Sequence, residues 1–339
     1  MSWWHPEEFI KKRKSLECKA EVLKAIRLFF EERSFIEVHT PALQICPVMD
    51  AHIHAFETEL TGRGRIDSKS MYLHTSPEFD MKKLLAAGME RIYQICPVYR
   101  NSEVGRLHSP EFTLLEWYHT QRDYLFLMDQ TTDLLRHIAN SVGISGYTYQ
   151  GEECDPFKEW NRISVSEAFR IYAQIDLEDC LDNVAEFKKQ AKTINIRVCD
   201  DDQWDDVFHA IMAEKVEPFL GFDAPTILYD YPASMAALSR KKPNDARFAE
   251  RFELYLCGIE LANAFSELTD TQEQRARYHD EMALKERLYG VSYPADEEFF
   301  SALEIMPESA GIALGLDRLA MLVCGAEDIR DILWAPIQI

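Results

Sequence analysis

Strand-like segments joined by short turns, rather than by helices, are the feature of this 339-residue sequence that most restricts its fold. Residues 91–99 and 111–119 read as one pair of strands, and residues 251–257 and 260–265 read as a second pair. Neither pair contains the crossover helix that a parallel βαβ unit requires. The pattern therefore predicts an α+β fold built on an antiparallel sheet flanked by helices.

Apolar residues at helical spacing predict helices around this sheet. A first helix is expected over residues 15–33, and two more over residues 124–142 and 271–288. Residues 76–85 begin with a hydroxyl, a proline and an acid, which is typical of a helix start. Residues 52–60 alternate roughly as a strand does, so a further strand is predicted there.

The formal net charge of −21 argues against broad contact with nucleic acid, because proteins that wrap DNA or RNA neutralise phosphates with Lys and Arg. The eight cysteines are scattered without a CxxC pair, which does not fit a zinc ribbon. The N-terminal segment lacks the apolar stretch of a secretory signal, and no apolar run approaches the ~20 residues that span a bilayer. We therefore expect a cytoplasmic protein without a membrane partner.

Residues 99–118 combine charged and aromatic side chains in a predicted hairpin. Arg100 lies where the first strand of this hairpin ends. On the return strand, Phe112, Glu116 and Tyr118 share one face by the period of two. A carboxylate and a phenol beside apolar side chains can form the floor of a pocket that binds an amine. The alternative is a solvated hairpin with cross-strand ion pairs.

The segment 252–270 places Glu253, Glu260 and Glu267 among apolar and small residues. Carboxylates are costly to bury in such surroundings unless they hold cations. Magnesium binds one or two carboxylates together with substrate phosphates, and a turn near Gly258 would bring Glu253 and Glu260 together. Strand parity alone does not place Asn263 and Glu267 on the face of Glu260, so a bend or a bulge is needed. The alternative is that each strand directs one acid into solvent.

Residues 311–319 alternate small and apolar side chains and then open a helix. A flat ligand ring can lie against Ala313 and Gly315, because little side chain is present there. Arg318, one turn into the helix, can reach a phosphate. The alternatives are ordinary close packing of a strand on a helix and a local ion pair between Asp317 and Arg318.

Together these segments resemble the three signature motifs of the class II aminoacyl-tRNA synthetases, in the order of the family. The first helix with FIEVHTPAL, which includes Pro41, resembles motif 1; YRNSEVGRLHSPEF resembles motif 2; and GIALGLDRL resembles motif 3. The segments TSPEF, HSPEFTLLEWY and FELYLCGIELANAFSELTD are similar to the lysyl branch. The resemblance covers nearly the whole chain except about residues 152–218, and it implies the class II synthetase catalytic fold.

Three departures from the lysyl branch suggest a different acceptor and a differently placed amine on the substrate. The catalytic segment starts almost at residue 1, which leaves no room for the OB-fold that reads the anticodon; Ala313 stands where the lysyl motif usually has glycine; and the net charge is poor for tRNA. These features resemble the truncated paralogues that modify translation elongation factor P, the elongation factor P--(R)-beta-lysine ligases. We expect one catalytic domain over residues 1–339, with a helical, acidic insertion at about residues 152–218 and no anticodon-binding domain.

The resemblance implies adenylate chemistry with ATP and Mg²⁺. Arg100 would bridge the substrate carboxylate and the α-phosphate, Arg318 would hold the γ-phosphate, and Glu253 and Glu260 would carry magnesium. The expected substrate site comprises Ser76, Glu78, Glu116, Tyr118, Glu260, Asn263, Glu267 and Ala313. The expected ATP site comprises Arg100, Asn101, Ser102, Glu103, His108, Ser109, Phe112, Glu253, Leu254, Gly315 and Arg318.

Within the substrate site, the resemblance places Glu78 against one amino group of (R)-β-lysine or lysine. It places Glu116, Tyr118 and Glu267 around the other amine, with Asn263 near the carboxylate. The activated acyl group then passes to a lysine side chain of elongation factor P as an amide.

The adenine contact has two candidates. Motif 2 of the family usually reads Arg-Asn-Glu, whereas this chain reads Arg-Asn-Ser-Glu, so the contact falls to Ser102 or to Glu103. Motif 1 of the family builds a dimer interface, which implies a homodimer. Two alternative functions stay open: a small synthetase that charges tRNA with lysine, and a non-catalytic regulatory paralogue.

Overall fold

The computed structural model describes residues 3–62, 67–236 and 238–337. No α-helix within these ranges combines the length and the apolar character needed to cross a membrane. The α-helices are α1 (Pro6–Glu32), α2 (Glu78–Ala86), α3 (Tyr124–Val142), α4 (Val165–Ala168), α5 (Val184–Thr193), α6 (Trp204–Ile211), α7 (Thr271–Tyr289), α8 (Glu297–Leu303) and α9 (Leu316–Cys324).

The centre of the molecule is a nine-stranded sheet with the order β1-β5-β6-β14-β13-β12-β10-β9, in which β11 also pairs with β12. All its pairs are antiparallel except β1 with β5 and β9 with β10. Two small sheets are formed by β2-β4-β3 and by β7-β8. The strands are β1 (Ile36–Glu37), β2 (Leu43–Gln44), β3 (Glu57–Leu60), β4 (Lys69–Leu73), β5 (Arg91–Tyr99), β6 (Glu111–Thr120), β7 (Tyr147–Tyr149), β8 (Glu152–Cys154), β9 (Asn161–Ser164), β10 (Thr226–Pro232), β11 (Lys241–Lys242), β12 (Asp245–Leu256), β13 (Ile259–Ser266) and β14 (Ser309–Gly315).

The predicted antiparallel sheet is confirmed, and both predicted hairpins form. In the first, β5 pairs with β6 from Arg91 opposite His119 to Tyr99 opposite Glu111. In the second, β12 pairs with β13 across a tight turn that contains Gly258. Gly258 has a φ of +74°, a left-handed conformation in which glycine pays no steric penalty.

Other predicted elements differ at their ends. The first helix begins at Pro6 rather than at residue 15, since proline at the first turn suits a helix start and costs no hydrogen bond. The strand predicted over residues 52–60 is present only as β3. Apolar alternation over residues 52–56 does not produce a strand, because Ala55 instead donates its backbone N–H to the hydroxyl of Tyr293.

Alternating side chains divide the two faces of the large sheet. On one face, Leu115, Trp117, Ile312 and Leu314 are buried in the main core. Helices α1, α3 and α9 pack over this face, and the core includes Phe29 from α1. The opposite face carries the alternate residues of the same strands and is open to ligands over its centre.

Residues 152–218 are only partly helical. Strand β8 completes a small hairpin, and β9 adds the last strand of the large sheet by parallel pairing with β10. From Val165 onward the segment is helical and has its own apolar core, which includes Phe169, Phe187 and Phe208. The division of the chain into one catalytic domain and an insertion stays a prediction.

Candidate active site

Predicted site residues from separate segments lie side by side in one row across the centre of the sheet. Glu116 on β6 pairs with Ala313 on β14, Ala313 pairs with Asn263 on β13, and Asn263 pairs with Glu253 on β12. Because neighbouring residues of a strand face opposite sides, all four side chains project from the face of the sheet that is opposite the main core. Sheet pairing thus assembles groups that are far apart in the chain.

A β-bulge in β13 adds Glu260 to this face. The register between β12 and β13 shifts by one residue after Leu254, so that Tyr255 pairs with Glu260. At this point β13 contains one residue more than β12. Because of the extra residue, the side chain of Glu260 lies on the same face of the sheet as that of Glu253. This is the irregularity that strand parity required.

A cavity of about 920 Å³ opens over the row. The predicted site residues line it except Asn101, Ser102, Leu254 and Glu267. Leu254 is fully buried in the main core, on the other face of the sheet. Its side chain cannot contact ATP, and any role for this residue is left to its backbone.

Asn101 and Ser102 lie in the loop beside the cavity rather than on its wall. The backbone N–H of Asn101 donates to the carbonyl of His54 (2.7 Å), and the backbone N–H of Ser102 donates to Oδ1 of Asn101 (2.9 Å). Of the two candidates for the adenine contact, Glu103 lines the cavity and Ser102 does not.

Arg100 enters the cavity directly after β5. Its guanidinium lies over the ring of Phe112, 5.2 Å from the centroid, and Nε donates to the carbonyl of Thr75 (3.4 Å). Oε1 of Glu103 is 3.9 Å from Nη1 of Arg100. The ring and the loop orient a planar cation whose other N–H groups are available to an anion.

Arg318, in the first turn of α9, is held by backbone and by an imidazole. Nη1 donates to the carbonyl of Glu260 (2.7 Å), Nε donates to the carbonyl of Leu107 (3.3 Å), and Nη2 is 2.6 Å from Nε2 of His108. Burial and the charge of Arg318 lower the pKa of His108, which keeps its ring neutral and able to accept.

The predicted local pair between Asp317 and Arg318 is replaced by a longer-range contact. Asp317 is buried, with Oδ1 2.5 Å from Nζ of Lys19 on α1, and it accepts the backbone N–H of Thr113 (2.7 Å). Asp317 therefore ties the start of α9 to α1 and β6, and leaves Arg318 directed at the cavity.

Glu116 sits at the floor of the cavity, held by two hydroxyl groups. Ser76 donates to Oε1 (2.5 Å) and Tyr118 donates to Oε2 (3.0 Å). Ser76 also accepts the backbone N–H of Glu78 at the start of α2 (3.1 Å). Burial and the negative charge of Glu78 raise the pKa of Glu116 to about 8. A carboxyl in this state is stabilised as an anion when a cation approaches.

Glu267 lies beneath the floor rather than on it. Its side chain is completely buried, and Oε2 is 2.5 Å from Nζ of Lys82. Oε1 has no hydrogen-bond partner among the residues that the structure describes. Burial and the charge of Glu78, against the opposing charge of Lys82, raise the pKa of Glu267 to about 8. A Cβ on Gly311 would stand 2.4 Å from Oε1, so only glycine fits above this oxygen.

Glu253 and Glu260 form a second group of acids. Oε2 of Glu253 accepts from the hydroxyls of Tyr231 (2.5 Å) and Tyr255 (2.7 Å), and Oε1 is 2.6 Å from Nη2 of Arg251. The side chain of Glu260 is accessible from the cavity. Enclosure by the protein and the charge of Glu253 nevertheless raise the pKa of Glu260 to about 7.

Comparison with known proteins assigns this architecture to a family. The family described as tRNA synthetases class II (D, K and N) matches residues 9–338. Elongation factor P--(R)-beta-lysine ligase of Vibrio atlanticus (strain LGP32) is 39% identical over 336 residues, which are 99% of this chain and 98% of the relative. The protein of that name from Photorhabdus laumondii subsp. laumondii is 40% identical over 332 residues, 97% of this chain and 96% of the relative. This chain belongs to the elongation factor P--(R)-beta-lysine ligase family of class II synthetases.

Membership in this ligase family confirms the resemblance predicted from the motifs. The segment outside those motifs, at about residues 152–218, nevertheless contributes to the cavity. Asp182, Trp204 and His209 line it from that side, and Trp204 is oriented by donating Nε1–H to the carbonyl of Cys180 (2.8 Å). The sequence offered only an acidic helical pattern here, so these residues were not predicted.

Two cations of this ligase were also missed, the partly exposed Arg251 and the buried Lys82. Arg251 donates Nε–H to Oδ1 of Asn263 (3.0 Å) as well as pairing with Glu253. Lys82 pairs with Glu78 and Glu267. The spacing of four residues between Glu78 and Lys82 on one helix was a usable signal for their ion pair, but nothing local indicated the contact with Glu267.

Proposed function

We propose that this protein activates (R)-β-lysine, or lysine, with ATP and transfers the acyl group to a lysine side chain of translation elongation factor P. In the first step an oxygen of the substrate carboxylate attacks the α-phosphorus, the bond from this phosphorus to the bridging oxygen breaks, and pyrophosphate leaves. In the second step the uncharged acceptor amine attacks the carbonyl carbon of the adenylate. AMP leaves, and the nitrogen loses a proton as the amide forms.

One observation carries the proposal: a single cavity joins a cationic end to a carboxylate end. Strand β14 runs between them. Gly311 adjoins Tyr118 and Glu267, whereas Gly315 adjoins Arg318. Four residues of strand correspond to roughly 13 Å, which allows an extended diamino acid and a nucleotide to meet between the two ends. The names of the relatives supply the acceptor.

Arg100 is assigned to the substrate carboxylate and the α-phosphate, and Arg318 to the γ-phosphate. A planar guanidinium can bind two oxygens at once, which a lysine ammonium cannot do in the same geometry. The attacking carboxylate is already a nucleophile, so this step needs no strong base. Orientation can supply ~7–11 kcal/mol of the barrier reduction, with fixed charges adding to it.

Glu253 and Glu260 would hold Mg²⁺. The donor set suits a hard cation, because two carboxylates share one wall of the cavity. Two tyrosines hold Oε2 of Glu253, and Arg251 would have to release Oε1 for this carboxylate to bind the ion. When bound, the ion neutralises charge on the triphosphate. Glu253 and Glu260 present the oxygens for the ion. They lie apart from Glu78 and Glu116 at the carboxylate end of the cavity, termed the amine end because it would bind the amines of the substrate.

The amine end is assigned to Glu78 and Glu116, which face the cavity, with Glu267 below them. Oδ1 of Asn263 is occupied by Arg251, so its amide N–H₂ group is left to donate to the substrate carboxylate. Ala313 lies between these groups in the row, where its methyl occupies space that the glycine usual in the lysyl branch would leave open.

The decisive test is the intact mass of elongation factor P after incubation with this protein, ATP, Mg²⁺ and either (R)-β-lysine or lysine. We expect a gain of one lysyl residue with at least one isomer, and no gain with the Arg100→Ala variant. A parallel incubation replaces the factor with tRNA specific for lysine. Charging of that tRNA without modification of the factor would overturn the proposed acceptor.

The proposal includes a homodimer and a cytoplasmic location. The segment that resembles motif 1 contributes β1, which forms one edge of the large sheet. Ile36 on this strand is 55% exposed, an apolar side chain at an edge where a second copy can pack. The cytoplasm is the compartment in which a translation factor is available as acceptor.

A further inference from the structure

Lys82 is buried beneath the amine end of the cavity. It lies on α2, one helical turn after Glu78, and its side chain has no solvent exposure. Nζ is 2.5 Å from Oε1 of Glu78 and 2.5 Å from Oε2 of Glu267. The ring of Phe265 is 5.3 Å from Nζ. A single ammonium is thus shared by a carboxylate that faces the cavity and one that lies beneath its floor.

Helix α8 packs against α2 and contributes the ring of Phe299, 6.0 Å from Nζ. The charges around this lysine come from four other elements. They are Glu78 from α2, Glu116 and the phenol of Tyr118 from β6, Glu267 from the end of β13, and Arg100 from the end of β5. Strand β14 contributes only the backbone of Gly311 at this point. Arg100 is assigned to the substrate carboxylate. When the three carboxylates have lost their protons, as the approach of a diamine favours, they and the one ammonium leave two negative charges.

We infer that Lys82 is a positioning residue that matches the charge of the amine end to a substrate with two ammonium groups. This inference rests on the proposed function. Without Lys82, Glu267 would lose its ion pair and remain buried beside the like charge of Glu78, so it would take up a proton. The ammonium of Lys82 also fixes the direction of both carboxylates.

Lys82 itself is held in the charged form. Burial opposes the charge, but the negative charges of Glu267 and Glu78 outweigh burial and raise the pKa of Lys82. An apolar side chain of similar length would fill the same space without supplying that charge. Packing and charge are therefore separable by substitution.

The experiment compares Lys82→Met with wild type by ATP–pyrophosphate exchange supported by (R)-β-lysine. The rates are measured from about pH 6 to about pH 9, a range that includes the pKa values of about 8 of Glu116 and Glu267. The charge of Lys82 lowers the pKa of Glu267, so loss of that charge raises it. The acid limb of kcat/KM for the amino acid should move to higher pH by about one unit, a fall of about tenfold on that limb. KM for ATP should stay unchanged.

Lys83→Met is the matched control, because Lys83 is the next residue of α2 and pairs with Asp80 and Asp296 away from the cavity. In Lys83→Met the acid limb of the kcat/KM profile should lie at the same pH as in wild type. Lys82→Arg retains the charge, so its acid limb should lie there too. If Lys82→Met does not fold, Lys82→Gln is measured instead, since its amide still donates to Glu267.

An unmoved limb in Lys82→Met, with or without a lower rate, would overturn the inference and leave the proposed function intact, because it would show that the lysine acts only in packing. Absence of exchange by wild type with either diamino acid would overturn the proposed function and this inference together. The two failures are distinguished by the wild-type reaction alone.

Discussion

At the scale of single residues, the two arginines of the cavity differ in how they are held. Arg318 donates to two carbonyl groups and contacts an imidazole, whereas Arg100 makes one long hydrogen bond to a carbonyl and lies over Phe112. Arg100 therefore keeps more of its N–H donors for a ligand, which suits a group that must bridge two anions.

Replacement of Arg100 by Ala should lower the rate of ATP–pyrophosphate exchange far more than tenfold, which corresponds to more than about 1.4 kcal/mol. Arg100→Lys should recover little of it, because an ammonium cannot make the paired contacts. Arg13→Ala, on the exposed face of α1, is the control and should keep the wild-type rate. A loss within tenfold for Arg100→Ala would show that its assigned role is wrong.

Binding of the diamino acid should release protons near neutral pH. Glu116 and Glu267 have pKa values raised to about 8 in the free protein, so both carry part of a proton at pH values below 8. Approach of an ammonium group favours the anions and lowers both pKa values. The bound state then holds fewer protons, and affinity rises with pH up to about 8.

Calorimetric titration of (R)-β-lysine at neutral pH, in two buffers with different ionisation enthalpies, measures this release. The buffer takes up the released protons, so the apparent binding enthalpy should be more negative in the buffer with the larger ionisation enthalpy. Equal enthalpies would mean that neither carboxyl changes protonation on binding.

At the scale of elements, β14 is the narrow strand that makes room for the substrate. Gly311, Ala313 and Gly315 face the cavity, while Ile312 and Leu314 on the same strand fill the core. Small and large residues alternate, so one strand serves both a binding surface and a packed interior.

A Gly311→Ala substitution should disrupt the amine end. The added Cβ would stand 2.2 Å from Cε1 of Tyr118 and 2.4 Å from Oε1 of Glu267, so the floor must shift. We expect a loss of ~1–3 kcal/mol in the free energy of unfolding, typical of overpacking, and a rise of KM for the amino acid of at least about tenfold. Chemical denaturation and exchange kinetics measure the two effects.

Gly105→Ala is the matched control for stability, because the nearest atom to its added Cβ, among the residues that the structure describes, is Nδ1 of His108 at an ordinary 3.8 Å. It should leave the free energy of unfolding within ~0.5 kcal/mol of wild type. An equally small effect for Gly311→Ala on stability and on KM would show that the floor adapts to a methyl group.

At the scale of the whole molecule, the large sheet has one face covered by α1, α3 and α9 and one face over which ligands bind. Its edges differ. The β9 edge belongs to the segment at about residues 152–218, whereas the β1 edge carries an exposed apolar residue.

The proposed homodimer predicts that wild type sediments as a dimer at micromolar concentration and that Ile36→Glu shifts it towards monomer. Charge at an apolar contact is disfavoured because it must be desolvated there. Ile305→Glu is the control, since Ile305 is 72% exposed and lies between α8 and β14, outside the motif 1 segment. A monomeric wild type would contradict the proposal.

Much of this fold could be predicted because its signals are local. The spans of β5 and α3 agree with their predicted limits, since strand alternation and helical spacing are properties of neighbouring residues. The strand predicted over residues 52–60 was mostly wrong, because the hydroxyl of Tyr293 on a distant segment takes the backbone N–H of Ala55. The short helix α8 was not predicted.

The residue types of the site were determined by the sequence alone: two arginines, paired acids and a strand of small residues, in an order that resembles one family. Only the tertiary structure decided which of them meet. A one-residue bulge turns Glu260 to the side of Glu253, and Glu267 lies under the floor with Lys82 rather than on the surface. The physical reason is that side-chain direction in a sheet depends on register, and a buried charge depends on partners that local sequence does not contain.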